Sequence, residues 1–171
     1  MVMNPYLDEY YDKDLKEPSE HEYIIRDAKR SDIPALARLE ELCFRRPWTE
    51  AQLDSEMKKT NLSSFILAEI IHQEERYLLA YMSWWQIIDE AQILNVSVHP
   101  SWRRQGIARV LVQTAMTRME ENGVREVTLE VAKHKRGAQL LYEEAGFTVV
   151  GMIKDYYPEY ADDALIMKRS F

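Results

Sequence analysis

The stretch Asn95-Val-Ser-Val-His-Pro-Ser-Trp-Arg-Arg-Gln-Gly-Ile-Ala-Arg109 carries the clearest chemistry in the chain. An apolar run ends, a loop brings two arginines and a glycine, and a helical pattern begins. The start of a helix leaves backbone N–H groups unpaired and carries about half a positive charge. Gly106 lets backbone approach a bound group with no Cβ in the way. Arg103, Arg104 and Arg109 add charged donors. Together these suit a pyrophosphate-like anion; the same residues also suit a plain helix start with solvated arginines. The lysine and spacing of a triphosphate-binding loop are missing, as are the three glycines of a dinucleotide fingerprint. Neither ATP hydrolysis nor nicotinamide chemistry is favoured.

Two other residues could move protons. Glu130 lies near the end of an alternating run, opposite Val127, Leu129 and Val131, and by itself reads as a solvated strand glutamate. Tyr142 falls on the apolar stripe Ala138, Leu141, Tyr142 and Ala145, which by periodicity alone makes it a core tyrosine. The histidines (His21, His72, His99, His134) are not paired at metal-ligand spacing, so no metal is expected. Cys43, the single cysteine, has no partner for an intrachain disulfide and reads as a small buried hydrophobe.

The elements that must position these groups follow from periodicity. Tyr23–Arg26 reads as a strand. Ser31 or Asp32 caps a helix with Pro34 in its first turn and Ile33, Leu36, Leu39 and Cys43 inward. Thr49 with Gln52 forms a capping box that starts a second helix, ending near Lys59. Ser64–Ile71, Tyr77–Ile87 and Ala91–Val98 are strand-like runs joined by links short enough for hairpins. A long amphipathic helix with Ile107, Val110, Leu111, Ala115 and Met119 on one side ends at Asn122-Gly123. Glu126–Val131 is a strand, the stripe around Leu141 a helix, and Phe147–Ile153 and Ala164–Lys168 two more strands. The predicted fold is α/β: a mixed, mostly antiparallel seven-stranded sheet flanked by about four helices.

At 171 residues the chain suits one domain with a short appendage. Net charge is −7, which argues against a general nucleic-acid binder. The charge is uneven: residues 1–22 hold seven acids and two bases, whereas residues 99–136 hold eight bases and four acids. Residues 1–22, interrupted by Pro5 and Pro18, read as a loosely held acidic tail before a domain spanning 23–171. The beginning of the chain has no basic and apolar leader pattern, and no run approaches the ~20 apolar residues of a membrane span. A cytoplasmic protein is the expectation.

Arg103-x-x-Gly106-x-Ala108, after a strand and before a helix, resembles the acetyl-CoA pyrophosphate loop of the GNAT superfamily of N-acetyltransferases. Leu129-Glu-Val131 followed by Leu141-Tyr-Glu-Glu-Ala-Gly-Phe147 looks like that superfamily's second half. Asp155-Tyr-Tyr-Pro158 and Asp163-Ala-Leu-Ile-Met167 resemble the ribosomal-protein-alanine and protein N-terminal acetyltransferases. The resemblance covers about residues 23–170 in order.

It implies acetyl-CoA-dependent acetylation of a protein N-terminus, a ribosomal protein among the candidates, by direct attack in a ternary complex. Glu130 would be the general base, often through water, and Tyr142 the acid toward the leaving thiolate. Backbone of Val96, Ser97 and Val98 would pair with the pantetheine arm and supply an oxyanion donor. Arg103, Arg104, Gln105, Gly106, Ile107, Ala108 and Arg109 would carry the pyrophosphate. The sequence departs from the family at Ala132, where an arginine is usual, and at His134-Lys135, where Ser-Asn is usual. Lys135 could reach a phosphate instead, and His134 is a runner-up base. Two loops would cover the acceptor, with Phe44, Pro47, Tyr156 and Tyr157 as contacts and Trp48 as a core anchor. Of adjacent Trp84 and Trp85, one would be core and the other would face the groove. The resemblance leaves room for an auxiliary subunit. Acetylation of lysines or polyamines, or an inactive CoA-binding regulatory subunit, are the other readings.

Overall fold

A computed structural model describes residues 23–72 and 74–171; the acidic stretch 1–22 lies outside the described residues. Strands β1 (Ile24–Asp27), β2 (Ser63–His72), β3 (Glu75–Ile87), β4 (Glu90–Val98), β5 (Glu126–Ala132), β6 (Thr148–Tyr157) and β7 (Asp162–Ser170) form one sheet. Its order is β1-β2-β3-β4-β5-β7-β6, and only β4 and β5 run parallel. Helices α1 (Ile33–Cys43), α2 (Glu50–Met57), α3 (Ile107–Glu121) and α4 (Arg136–Glu144) complete the chain. The expected sheet and helices are all present.

Two apolar clusters hold the layers. One joins α3 and α4 to the sheet through Ile66, Leu79, Ile93, Leu111, Met119, Leu129 and Phe147. The other seats α1 and α2 through Leu36, Leu53, Leu67 and Tyr81. Thr49 caps α2 as its spacing predicts: its hydroxyl accepts from Gln52 N–H at 3.3 Å and Gln52 Oε1 accepts from Thr49 N–H at 2.9 Å. The start of α1 differs. No side chain caps it; the Asp32 carboxylate turns back to Lys29 N–H (2.7 Å) and the Arg26 guanidinium (2.7 Å). Arg26 also holds Glu69, which is fully buried on β2 and bound by Arg76 as well, so a charged network outcompetes a cap.

β6 runs further than its apolar pattern, to Tyr157, across a register shift at Asp155, whose φ is +53°. Tyr156 and Tyr157 are thus strand residues, and Pro158–Ala161 makes the connection.

One irregularity governs the centre of the sheet. Trp84 pairs with Ile93 and Ser83 with Asn95, so Leu94 is an extra residue in β4. In a regular strand Ile93, Asn95 and Ser97 would share a face. The bulge reverses the face: Ile93 packs on the α3 side, whereas Asn95 and Ser97 turn toward α1. The parallel pairing of β4 with β5 runs from Glu90–Glu126 to Ile93–Leu129 and stops at the bulge. β5 continues, paired with β7, to Ala132. The sheet splits between the C-terminal halves of β4 and β5.

Candidate active site

On the β4 side of the split, Val96 and Val98 lean on the core, and the chain then turns through Pro100–Trp102. Buried Trp102 and Ile107 (4% and 3% exposed) pin both ends of the turn that follows, while Arg103–Gly106 stand in solvent. Arg104 (φ +66°) and Gly106 (φ +83°) both lie in the left-handed region, which bends the turn tightly before α3. A Cβ on Gly106 would meet nothing within 4 Å, so the backbone angle is what requires glycine there, and the turn is open to a ligand.

The arginines are not equivalent. Arg103 donates from Nε to Val98 O at 3.1 Å and from Nη2 to Cys43 Sγ at 3.6 Å, tying the end of β4 to α1. Cys43 is half-buried and donates to Val98 O at 3.4 Å, so it is less enclosed than the helical pattern suggests. Arg109 forms an ion pair with Glu144 on α4. Arg104 is exposed beside Gly106.

On the β5 side, half-buried Glu130 holds Gln92 Nε2 between its two oxygens, at 3.2 and 3.1 Å. The Tyr157 hydroxyl donates to Glu130 O at 3.4 Å. Tyr142 is 7% exposed and packs edge-on against Phe147, ring centres 5.8 Å apart. Burial pushes the Tyr142 hydroxyl well above the ordinary tyrosine value, with Tyr157 adding to the shift. Tyr157 is pushed up to about 12, first by burial and then by Tyr156 and Glu130. Tyr156 is raised by burial and by Glu130. The Tyr156 ring lies 5.0 Å from that of Tyr157, so Glu130, Tyr156 and Tyr157 are grouped by direct contact.

The α1–α2 loop and the β6–β7 connection are stitched together. Arg45 donates to Glu159 O at 2.8 Å, its backbone N–H reaches Tyr160 Oη at 3.4 Å, and its guanidinium lies 5.1 Å from the Tyr160 ring centre. Lys135 Nζ lies 5.3 Å from the Phe44 ring centre and 5.4 Å from that of Tyr160. His134 Nδ1 is 2.6 Å from Asp162 Oδ2, with its ring 5.3 Å from Tyr160. Pro47 and Trp48 are half-buried, and Trp48 packs on the α1–α2 cluster as a core anchor. Trp84 is core, but Trp85 does not face the split: it donates to Glu56 on α2 under Lys59.

Sequence reading missed a buried carboxylate, Glu40 of α1. At 1% exposure its Oε1 accepts from Tyr81 Oη (2.5 Å), Ser97 Oγ (3.4 Å) and Asn95 Nδ2 (3.5 Å). Its Oε2 accepts from Trp48 N–H at 2.9 Å. Burial raises this carboxyl, and the bonds from Trp48, Tyr81 and Ser97 offset part of the rise. The switch of apolar positions from Ile93 to Val96 and Val98 was the available signal that Asn95 and Ser97 turn to α1.

The sequence profile of the acetyltransferase (GNAT) family matches residues 33–147. The chain belongs to the GNAT acetyltransferase family. GNAT enzymes take their acetyl group from acetyl-CoA, and this chain is an acetyl-CoA-dependent N-acetyltransferase. The ribosomal protein bS18-alanine N-acetyltransferase of Escherichia coli K12 is 30% identical over 145 residues, covering 84% of this chain and 94% of that one. The crystal structure of the Escherichia coli ribosomal-protein-S18-alanine N-acetyltransferase superimposes with a TM-score of 0.78 at 26% identity, covering 87% of this chain and 94% of that one. Ard1 from Thermoplasma volcanium (TM-score 0.75, 23% identity, 86% and 97% covered) shares the fold.

Proposed function

We propose that this GNAT enzyme acetylates the free α-amine of a protein N-terminus in the cytoplasm, with an N-terminal alanine of a ribosomal protein as the acceptor indicated by the bS18-directed relatives. The observation that carries it is the end of β4–β5 pairing at Ile93–Leu129, next to which Gln92 holds the Glu130 carboxylate at 3.2 and 3.1 Å and the Tyr157 hydroxyl reaches Glu130 O at 3.4 Å. Among the described residues no helix is long and apolar enough to cross a membrane. Residues 23–171 form the catalytic domain in this reading, and residues 1–22 lie outside it.

The open turn around Gly106 fits the pyrophosphate of acetyl-CoA: the first N–H groups of α3 have no intrahelical partner, and exposed Arg104 supplies charge. Backbone of Val96 and Ser97 lies past the last β4–β5 pair, Ile93–Leu129, and suits the pantetheine arm as a further strand would, with Val98, whose carbonyl is held by Arg103 and Cys43, at the end of that edge. Once bound, acetyl-CoA supplies a thioester-activated acetyl group. An ammonium is not nucleophilic, so Glu130 removes the proton from the acceptor amine, directly or through one water. Gln92 holds the Glu130 carboxylate in place. Tyr142, buried against Phe147, keeps its proton at Oη and can give it to the departing sulfur. Lys135 joins Phe44, Pro47, Tyr156 and Tyr157 on the acceptor side in this reading, since its ammonium is engaged by the rings of Phe44 and Tyr160.

The test is an acetylation assay with acetyl-CoA and three acceptors: a peptide with N-terminal alanine, the same peptide blocked at its N-terminus but carrying lysine, and spermidine. Turnover of the first alone is expected. Turnover of spermidine or of the blocked peptide in its place overturns the acceptor class, and turnover of none supports a regulatory subunit.

A further inference from the structure

Three buried glutamates sit on the α1–α2 side of the protein or at its edge, and their surroundings differ. Glu69 is clasped by Arg26, at 3.0 and 2.9 Å, and by Arg76. Glu56 pairs with Lys59 at 2.7 Å and accepts from Ser63 and Trp85. Glu40 is as deeply buried as Glu69, yet among the described residues it has no cationic partner. Burying a carboxylate among neutral donors is costly, and an apolar residue in its place would pack without that cost. A stability role alone accounts poorly for a charge kept in this way.

The partners of Glu40 show what it joins. Trp48 N–H belongs to the loop that, in the proposed reading, covers the acceptor. Asn95 and Ser97 flank Val96 on the strand that borders the split, and the bulge at Leu94 is what turns them toward Glu40. Tyr81 on β3 completes the group. One carboxylate therefore spans the acceptor loop with one oxygen and the edge of the split with the other.

Resting on the acceptor reading above, we propose that Glu40 is a positioning residue, which sets the distance between the acceptor loop (residues 44–48) and β4 and so holds the acceptor amine in line with the bound thioester. It touches neither reactant. Small displacements of reacting groups cost about a hundredfold in rate when they exceed about 1 Å, so loss of this brace acts on the acceptor step and spares binding of acetyl-CoA.

The experiment uses the full chain, acetyl-CoA and the N-terminal alanine peptide, with wild type, Glu40→Gln, Tyr81→Phe and Glu56→Gln. In Glu40→Gln, kcat/KM for the peptide falls by about ten- to a hundredfold while the KM for acetyl-CoA stays within about twofold. Tyr81→Phe, which leaves the bond to Trp48 in place, shows a smaller loss of the same kind. Glu56→Gln lowers the thermal midpoint and leaves both substrates' kcat/KM unchanged. Amide hydrogen exchange at Trp48 speeds up in Glu40→Gln and not in Glu56→Gln. Parallel changes for both substrates, or a Glu40→Gln enzyme that behaves like Glu56→Gln, overturn the proposal. If Glu40→Gln does not fold, unchanged peptide kcat/KM in Tyr81→Phe overturns it. If the wild type acetylates a polyamine and no peptide, the acceptor reading falls separately, and the same four proteins are compared on that amine.

Discussion

Beyond Ile93 and Leu129 the sheet presents two edges, and they are equipped with different kinds of atom. The β4 edge offers main chain: backbone of Val96 to Val98, then a turn shaped by two left-handed residues. The β5 edge offers side chains: the Glu130 carboxylate held by Gln92, with the Tyr157 hydroxyl at Glu130 O and, in the proposed reading, the Tyr142 hydroxyl of α4. In the proposed reading coenzyme A would be held through long, sequence-tolerant contacts for which N–H groups suffice. Proton transfer needs a particular functional group at a particular atom. Substitution should therefore hurt the two edges in opposite ways: by chemistry on β5, by backbone conformation on β4.

The sharpest break would come at Glu130. Glu130→Gln is expected to lower kcat by about 10²- to 10⁴-fold, with the thermal midpoint and the dissociation constant of acetyl-CoA kept, as read by single-turnover kinetics and calorimetry. A kcat equal to wild type would remove the base from the β5 edge.

Tyr142→Phe comes next, with a kcat loss of about ten- to a hundredfold because packing on Phe147 survives and only the proton is removed. Burial raises the hydroxyl above its ordinary value of about 10, so it stays protonated in the folded enzyme at every pH below that. The wild-type kcat profile should show no alkaline fall from this group under pH 10. A fall centred below pH 9 that vanishes in Tyr142→Phe would contradict the assignment.

The smallest effects belong to the β4 edge. Gly106→Ala forces a Cβ onto a φ of +83°, which costs about 1–2 kcal/mol of backbone strain and should weaken acetyl-CoA by several-fold. Arg104→Ala should weaken it less, and flatten its dependence on salt. If Arg104→Ala costs more than Gly106→Ala, side chains hold the cofactor and the contrast between the edges collapses.

Much of this is legible in the amino-acid sequence. Thr49 with Gln52 marks the start of α2, and the apolar stripes mark α3 and α4, because caps and helix faces are local patterns. The roles proposed for Glu130 and Tyr142 come from family resemblance, since periodicity makes them an ordinary strand carboxylate and a core ring. The departures have non-local causes. Asp32 leaves its cap for Arg26 and Lys29 because Glu69, far along the chain, draws Arg26 into the network. Tyr156 and Tyr157 join β6 because a single left-handed residue, Asp155, carries the strand past its apolar run. Glu40 is invisible because a glutamate in a helix reads as solvent-facing, and its partners Tyr81 and Asn95 lie 41 and 55 residues away.

The split in the sheet coincides with a single extra residue, Leu94. Without it, β4 would alternate without interruption, with Ile93, Val96 and Val98 facing α3 and Asn95 and Ser97 facing α1, the same faces they occupy now. The pairing of β4 with β5 is then expected to run on past Ile93 and Leu129. Such a deletion would keep every motif and every apolar position, and would make a tidier sheet with no place for a thioester. Deletion of Leu94 is expected to abolish acetylation while the circular dichroism of the fold is kept; retained turnover would show that the bulge is dispensable.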